Sequence, residues 1–319
     1  MPDTTRHLVD PELLGLLDAI PPYTLSDAML PIMRARPRPP MVIAPDALDN
    51  VEMTERMAPG PKGAPDVRML VYRPRQAGQD LPCILHIHGG GYIAGSPDAH
   101  EDVHRAMALE LGCVLASVDY RLAPETRAPG SVEDCYAALA WLVSEAATLG
   151  IDPARMSVMG ESAGGGLAAA LALLVRDRGE YQFTFQHLIY PMLDDRTCIT
   201  DDPNAFAGEF IWTPDSNRFG WASLLGLPPG GADVSAYAAP ARAIDLAGLP
   251  PTYIAVGALD LFVDENLEFA RRLIRAGVPT ELHVYPGAFH GFHFNPAAGV
   301  TLTANRDSLA ALKAALARA

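Results

Sequence analysis

No segment of the chain stays apolar for the roughly 18 residues that a membrane-crossing helix needs, and the first ten residues lack a basic stretch followed by an apolar one. Neither a membrane anchor nor a secretory leader is expected, and the cytoplasm is the expected compartment. Positive charge is scarce as well. Only 24 Lys and Arg stand against 38 Asp and Glu, for a formal net charge of −14. Nucleic acid and anionic membrane surfaces, which need Lys and Arg to neutralise phosphate, are therefore disfavoured as partners, and an uncharged or cationic small molecule fits better. Cysteine is sparse too: Cys83, Cys113, Cys135 and Cys198 are widely spaced, with no C-x-x-C pair and no histidine at metal-finger spacing. No metal and no cofactor is expected, and Cys83 and Cys113, in apolar runs, read as small buried hydrophobes.

The rest is an ordinary globular composition. Apolar residues make up 49% and charged residues 19%, far from the low-hydrophobicity, high-charge signature of disorder. A length of 319 residues could fill two domains, but it also suits one α/β domain with insertions. Residues 1–45 are broken by Pro21, Pro22, Pro31, Pro37, Pro39 and Pro40 into pieces that allow at most short amphipathic helices, near 11–20 and 25–33. Such an arm must pack on something else.

From Val51 onward, strand and helix signals alternate. Strands are predicted at 66–72, 83–87, 113–118, 156–159, 184–190, 252–256 and 280–285, with helices near 99–111, 163–175 and 264–276 and a last one marked by Leu309, Leu312 and Leu316. Ser131 reads as the N-cap of a further helix whose buried face holds Val132, Cys135, Leu139 and Leu142. This is the rhythm of a mostly parallel sheet covered by helices. The pattern lapses over 191–240, which carries Phe206, Phe210, Trp212, Phe219 and Trp221 among turn residues; long irregular insertions of this kind are usually lids or binding elements.

Gly160-Glu161-Ser162-Ala163-Gly164 fits G-x-S-x-G and falls between a short apolar strand and a helix. A serine thrown out on so sharp a turn leaves no room for side chains two positions before and two after it. Ser162 is the candidate nucleophile. A serine hydroxyl needs a base within hydrogen-bond reach and a third group to orient that base. Asp260 follows the strand at 252–256 and His290 follows the strand at 280–285, both just past carboxyl-terminal strand ends, where open parallel sheets place their sites. Asp264, four residues on, reads better as a helix N-cap, and His283 and His293 read as structural. His88-Gly89-Gly90-Gly91 ends the run at 83–87, where glycines let backbone N–H groups approach a developing oxyanion; Ala163, the residue after the nucleophile, offers another at a helix N-terminus. The run lacks the G-x-G-x-x-G spacing and the Walker lysine of nucleotide-binding loops.

Taken in order, His88–Gly91, Asp119-Tyr120-Arg121-Leu122-Ala123-Pro124-Glu125, Gly160–Gly164, Asp260 to Glu265 and His290-Gly291-Phe292 resemble the motifs of the hormone-sensitive-lipase-like (bacterial family IV) esterases of the α/β-hydrolase superfamily. The resemblance spans about Val51 to the C-terminus. It implies an eight-stranded, mostly parallel sheet with a helical cap, an oxyanion hole from Gly89, Gly90 and Ala163, and a supporting role for 119–125. It divides the chain into a cap arm (1–45), a catalytic domain (46–190 and 241–319) and a cap insertion (191–240). Two positions depart from the family pattern: Glu161, where Asp or Thr is usual, and Leu261-Phe262-Val263 in place of Pro-Leu-Arg. The expected activity is hydrolysis of short-chain carboxylic esters through an acyl-enzyme, with a small-molecule ester as the partner. An amidase, a deacetylase, a lactonase or a non-catalytic ligand-binding protein could be built on the same constellation. The strand at 280–285, if it lies at a sheet edge, could pair with a second subunit in a homodimer.

Overall fold

Residues 5–20, 24–35 and 43–317 are described by a computed structural model. The strands are β1 (Val51–Ala58), β2 (Val67–Pro74), β3 (Leu81–Ile87), β4 (Val114–Asp119), β5 (Ile151–Glu161), β6 (Phe185–Ile189), β7 (Thr252–Gly257) and β8 (Thr280–Tyr285). Between and around them run α1 (Leu14–Ala19), α2 (Met29–Arg34), α3 (Pro45–Asn50), α4 (Glu101–Leu111), α5 (Gly130–Ser144), α6 (Ala146–Leu149), α7 (Ala163–Arg178), α8 (Pro214–Leu225), α9 (Val263–Arg275) and α10 (Gly299–Leu316).

The strands form a single sheet in the order β1-β2-β4-β3-β5-β6-β7-β8. β2 pairs antiparallel with both β1 and β4, and every pairing from β4 through β3 to β8 is parallel. Parallel strands covered on both faces have no solvent side, which is why β6 and β7 are buried along their whole length. β8 ends the sheet and is mostly half-buried or exposed. One face of the sheet packs on α5, α7 and α9, where Leu139, Leu171 and Phe269 are buried; the other packs on α4 and α10, through Ala108 and Leu312. Along β3 the side chains alternate accordingly, Cys83, Leu85 and Ile87 toward the first face and Ile84 toward the second.

The chain leaves β3 for β4 on one side and returns to β5 on the other, so the carboxyl ends of β3 and β5 lie side by side where the winding reverses. In open α/β sheets that crevice is the ligand position. No described helix is long and apolar enough to cross a membrane.

The N-terminal arm is stitched to the body in two places. The Asp10 N–H donates to the carbonyl of Gly287 (3.0 Å), and the Glu12 carbonyl accepts from Asn295 (2.9 Å). Farther along, Arg34 donates to the carbonyls of Ile93 and Ala123 (2.8 Å each) and pairs with Glu125. The helical pieces expected near 11–20 and 25–33 are α1, preceded by a 3₁₀ turn, and α2. Residues 1–4, 21–23 and 36–42 of the arm lie outside the described residues.

Other sequence readings change, and β1 is a strand beyond the seven predicted. Ser131 does not cap α5, which already begins at Gly130; its hydroxyl donates to the carbonyl of Arg121 (2.9 Å), while Asp134, fully buried, takes the Arg121 guanidinium (2.7 Å). Arg121 thus draws both polar side chains away from the helix end. The stretch 191–240 is also not irregular throughout, because it contains α8, with Pro214 in its first turn and Thr213 as a side-chain N-cap.

Candidate active site

Ser162 sits at the turn between β5 and α7 with φ of +56° and ψ of −122°, a backbone conformation that costs a non-glycine residue energy and persists only when its surroundings fix it. They do. Its N–H donates to the Ile189 carbonyl (2.9 Å), and its own carbonyl accepts from Gly166 and Met192 (3.0 Å each). The glycines two residues to either side are close-approach positions. A Cβ on Gly160 would lie 2.3 Å from the Gly164 carbonyl oxygen, and one on Gly164 would lie 2.0 Å from that of Ile87. α7 therefore packs backbone against backbone on the end of β3. Gly164→Ala is expected to destabilise the protein by about 1–3 kcal/mol or more, because neither backbone can give way; a urea midpoint equal to the parent's would contradict this packing.

The three residues singled out after the turn motif meet in one hydrogen-bonded line. Ser162 Oγ lies 2.9 Å from His290 Nε2, and His290 Nδ1 lies 2.8 Å from Asp260 Oδ2. Asp260 is fully buried and accepts a second bond on Oδ1 from the Phe262 N–H (2.9 Å). A carboxylate can only accept, so the line assigns the Nδ1 proton to the Asp260 side and leaves Nε2 to accept from the serine. Ser162 and His290 are 7% and 6% exposed, enough to meet a substrate and too little to be well solvated. Tyr190, Phe262 and Trp212 surround the imidazole, with ring centroids 4.7, 5.2 and 6.3 Å away.

The alternatives fall elsewhere. Asp264 lies in the first turn of α9 rather than at its cap, and its carboxylate accepts from Asn204 at 3.3 Å. His283 is on the edge strand beside Glu281 (2.7 Å). His293 is half-buried against Phe292, and desolvation lowers its pKa to about 4, so it is a neutral ring.

The loop after β3 borders the same point. A Cβ on Gly89 would lie 2.9 Å from the Glu161 carbonyl oxygen and 3.4 Å from Ser162 Cβ, and Gly90 has φ of +121°, which disfavours any side chain. Ala163 opens α7, so its N–H belongs to the first turn, which has no partner inside the helix. The Trp212 ring covers Gly91: a Cβ there would lie 2.2 Å from Trp212 Cη2. The His88 ring stacks on Tyr120 (centroids 4.3 Å apart), whose hydroxyl donates to the His88 carbonyl (2.9 Å). Burial lowers the His88 pKa to about 4, and Nδ1 bonds the Gly89 carbonyl (2.8 Å).

Tyr92 and Glu265 also support the site; Glu265 ends the Asp260 to Glu265 motif, whereas no motif marks Tyr92. The Tyr92 hydroxyl donates to the Met192 carbonyl (3.0 Å), and the buried Glu265 carboxylate accepts from the Leu193 N–H (2.6 Å). A cavity of about 490 Å³ between Asp194, Arg242, Ile244 and Phe269 contains none of Ser162, Asp260 or His290, and its Arg196 and Arg242 are already paired with Asp194 and Asp195. Among the described residues no group of His, Cys, Asp or Glu has the geometry of a metal site.

A family model described as alpha/beta hydrolase fold matches residues 84–294. The chain is 36% identical to carboxylesterase NlhH of Mycobacterium tuberculosis over 99% of this chain and 98% of the relative. It is 30% identical to an ethyl acetate hydrolase of Pseudomonas putida over 78% and 76% of the two chains. Among solved structures, a bacterial heroin esterase superposes with a TM-score of 0.87 at 39% identity, over 98% of this chain and 99% of that one. With the sheet order, the turn motif and the glycine loop after β3 all in place, the chain belongs to the α/β-hydrolase fold family, among its hormone-sensitive-lipase-like esterases.

Proposed function

We propose that the protein is a serine carboxylesterase that hydrolyses short-chain carboxylic esters through an acyl-enzyme on Ser162. The observation that carries this reading is the unbroken line from Ser162 Oγ through His290 to Asp260 beside the Gly89 loop. In the first half-reaction the hydroxyl attacks the ester carbonyl as its proton passes to His290 Nε2. Negative charge on the carbonyl oxygen meets the N–H groups of Gly89, Gly90 and Ala163, in a site already turned toward it. Collapse expels the alcohol, which takes the proton from His290. Water, deprotonated by the same imidazole, then releases the acid.

Residues 46–190 and 241–319 form the catalytic domain, and 1–45 with 191–240 form its cap. The bond from the Thr5 N–H to Glu209 (2.8 Å) and the Trp212 ring over Gly91 support this division. The free edge of β8 is the place for a second copy in a homodimer. The cytoplasm is its compartment, and the four buried, unpaired cysteines suit a reducing one.

The acyl range is tested with a chain-length series of nitrophenyl esters. The aromatic rings packed round His290 and Gly91 leave the short acyl groups as the expected optimum of kcat/KM; a maximum at long chains would overturn the short-chain assignment.

A further inference from the structure

Glu161 departs from the usual residue before the nucleophile, and nothing in the acyl-transfer steps uses it. It is a carboxylate one residue from Ser162 with its side chain only 19% exposed. Its Oε2 lies 2.9 Å from His86 Nε2 and its Oε1 lies 3.5 Å from His100 Nε2. His86 in turn places Nδ1 2.9 Å from Ser117 Oγ on β4. A polar line thus crosses three adjacent strands, from β5 through β3 to β4, with the rings of His100 and His104 packed against His86.

The position of that line matters because of where the sheet ends. The last register pair between β3 and β5 is Ile87 with Gly160. Beyond it the ladder stops, and the loop holding Gly89 and the turn holding Ser162 are parted only by a narrow gap, a Cβ on Gly89 falling 2.9 Å from the Glu161 carbonyl oxygen. The distance across this gap sets how far the serine oxygen stands from the oxyanion donors. The Glu161 side chain reaches back across it from the nucleophile turn to the strand that carries the loop. Burial opposes its ionisation, yet His86 and His100 outweigh burial and bring its pKa down to about 2. An ionised carboxylate accepts only, so His86 Nε2 is the donor to Glu161.

We propose that Glu161 is a positioning residue: through its hydrogen bond to His86 it holds the Ser162 turn at a fixed distance from the Gly89–Gly90 loop, and the length of its side chain, rather than its charge, is what the site needs. This rests on the acyl-enzyme reading above. Glutamine keeps both the length and an acceptor oxygen for His86, and its amide can face His100. Aspartate keeps the charge but is one methylene too short to reach.

The test compares Glu161→Gln, Glu161→Asp and Glu161→Ala with the parent for kcat and KM on p-nitrophenyl acetate and for the rate at which a fluorophosphonate labels the protein. Displacing a reacting group by about 1 Å can cost about 100-fold. Glu161→Gln is expected to keep kcat within about threefold of the parent, whereas Asp and Ala lose about tenfold or more, with KM within about twofold throughout and labelling falling in step with kcat. A kcat for the Asp variant equal to or above that of the Gln variant would show that charge matters, and would overturn the proposal. So would an Ala variant as fast as the parent, or losses confined to KM. If the Ala variant does not fold, the order of Gln and Asp still decides. A parent that neither turns over nor takes the label refutes the acyl-enzyme reading itself. An active, labelled parent with the wrong order of variants refutes only the role of Glu161.

Discussion

Replacing Ser162 with alanine is expected to lower kcat on an activated ester by about 10⁶-fold, the scale seen when a serine hydrolase loses its nucleophile. Most of the protein should not notice. The side chain is small and its one polar partner is His290 Nε2, while the bonds that hold the strained turn, to Ile189, Gly166 and Met192, are all made by the backbone. The thermal midpoint should therefore stay close to the parent's and substrate binding should persist, so that the variant is a folded, inert receptor for the ester. Stopped-assay kinetics on the purified variant, with a melting curve on the same sample, checks both halves. Turnover at the parent rate would remove Ser162 from the reaction.

The second large effect is expected at Asp260. Asp260→Asn keeps the shape of the site but presents either an N–H or an amide oxygen to His290 Nδ1. If the N–H faces the ring, the imidazole must carry its proton on Nε2 and can no longer accept from Ser162. A loss of about 10⁴-fold in kcat is the scale for that tautomer error. Asp264→Asn is the internal control, because its carboxylate meets only the Asn204 amide among its described hydrogen bonds, at an exposed position. It should lose little. The reverse ranking in a steady-state comparison of the two variants would transfer the acid role to Asp264.

Much of this site is legible in the sequence because each of its segments follows a strand and is punctuated by glycine: His88–Gly91, Gly160–Gly164, Gly257 before Asp260 and Gly287 before His290. Strand ends are where local signals and chemistry coincide. α8 is not legible, since the face it buries includes Ser216, Asn217, Gly220 and Ser223, polar and small residues that hide the helical period. The cap on α5 misleads for another reason, a competing partner in Arg121 that sequence spacing does not reveal. His86, the partner of Glu161, lies 75 residues away, and Ser117, which His86 meets in turn, is on β4; only the strand order that places β3 between β4 and β5 brings the three together. A motif names a residue well and its neighbours across a sheet poorly.

The two seams of the N-terminal arm bear on how such enzymes can be recombined. One seam joins residues 10–12 to the segment carrying His290, at Gly287 and Asn295; the other joins Arg34 to Ile93, just past the His88–Gly91 loop, and to Ala123. A chimera that exchanges only the 191–240 segment with a relative leaves both seams native, provided it keeps Glu209, which accepts from the Thr5 N–H of the arm. Exchanging the arm replaces one side of each seam, so the donor's partners at 287, 295, 93 and 123 must travel with it. The arm and the loops it touches are in that sense a single unit of inheritance, although 283 residues separate Glu12 from Asn295 along the chain.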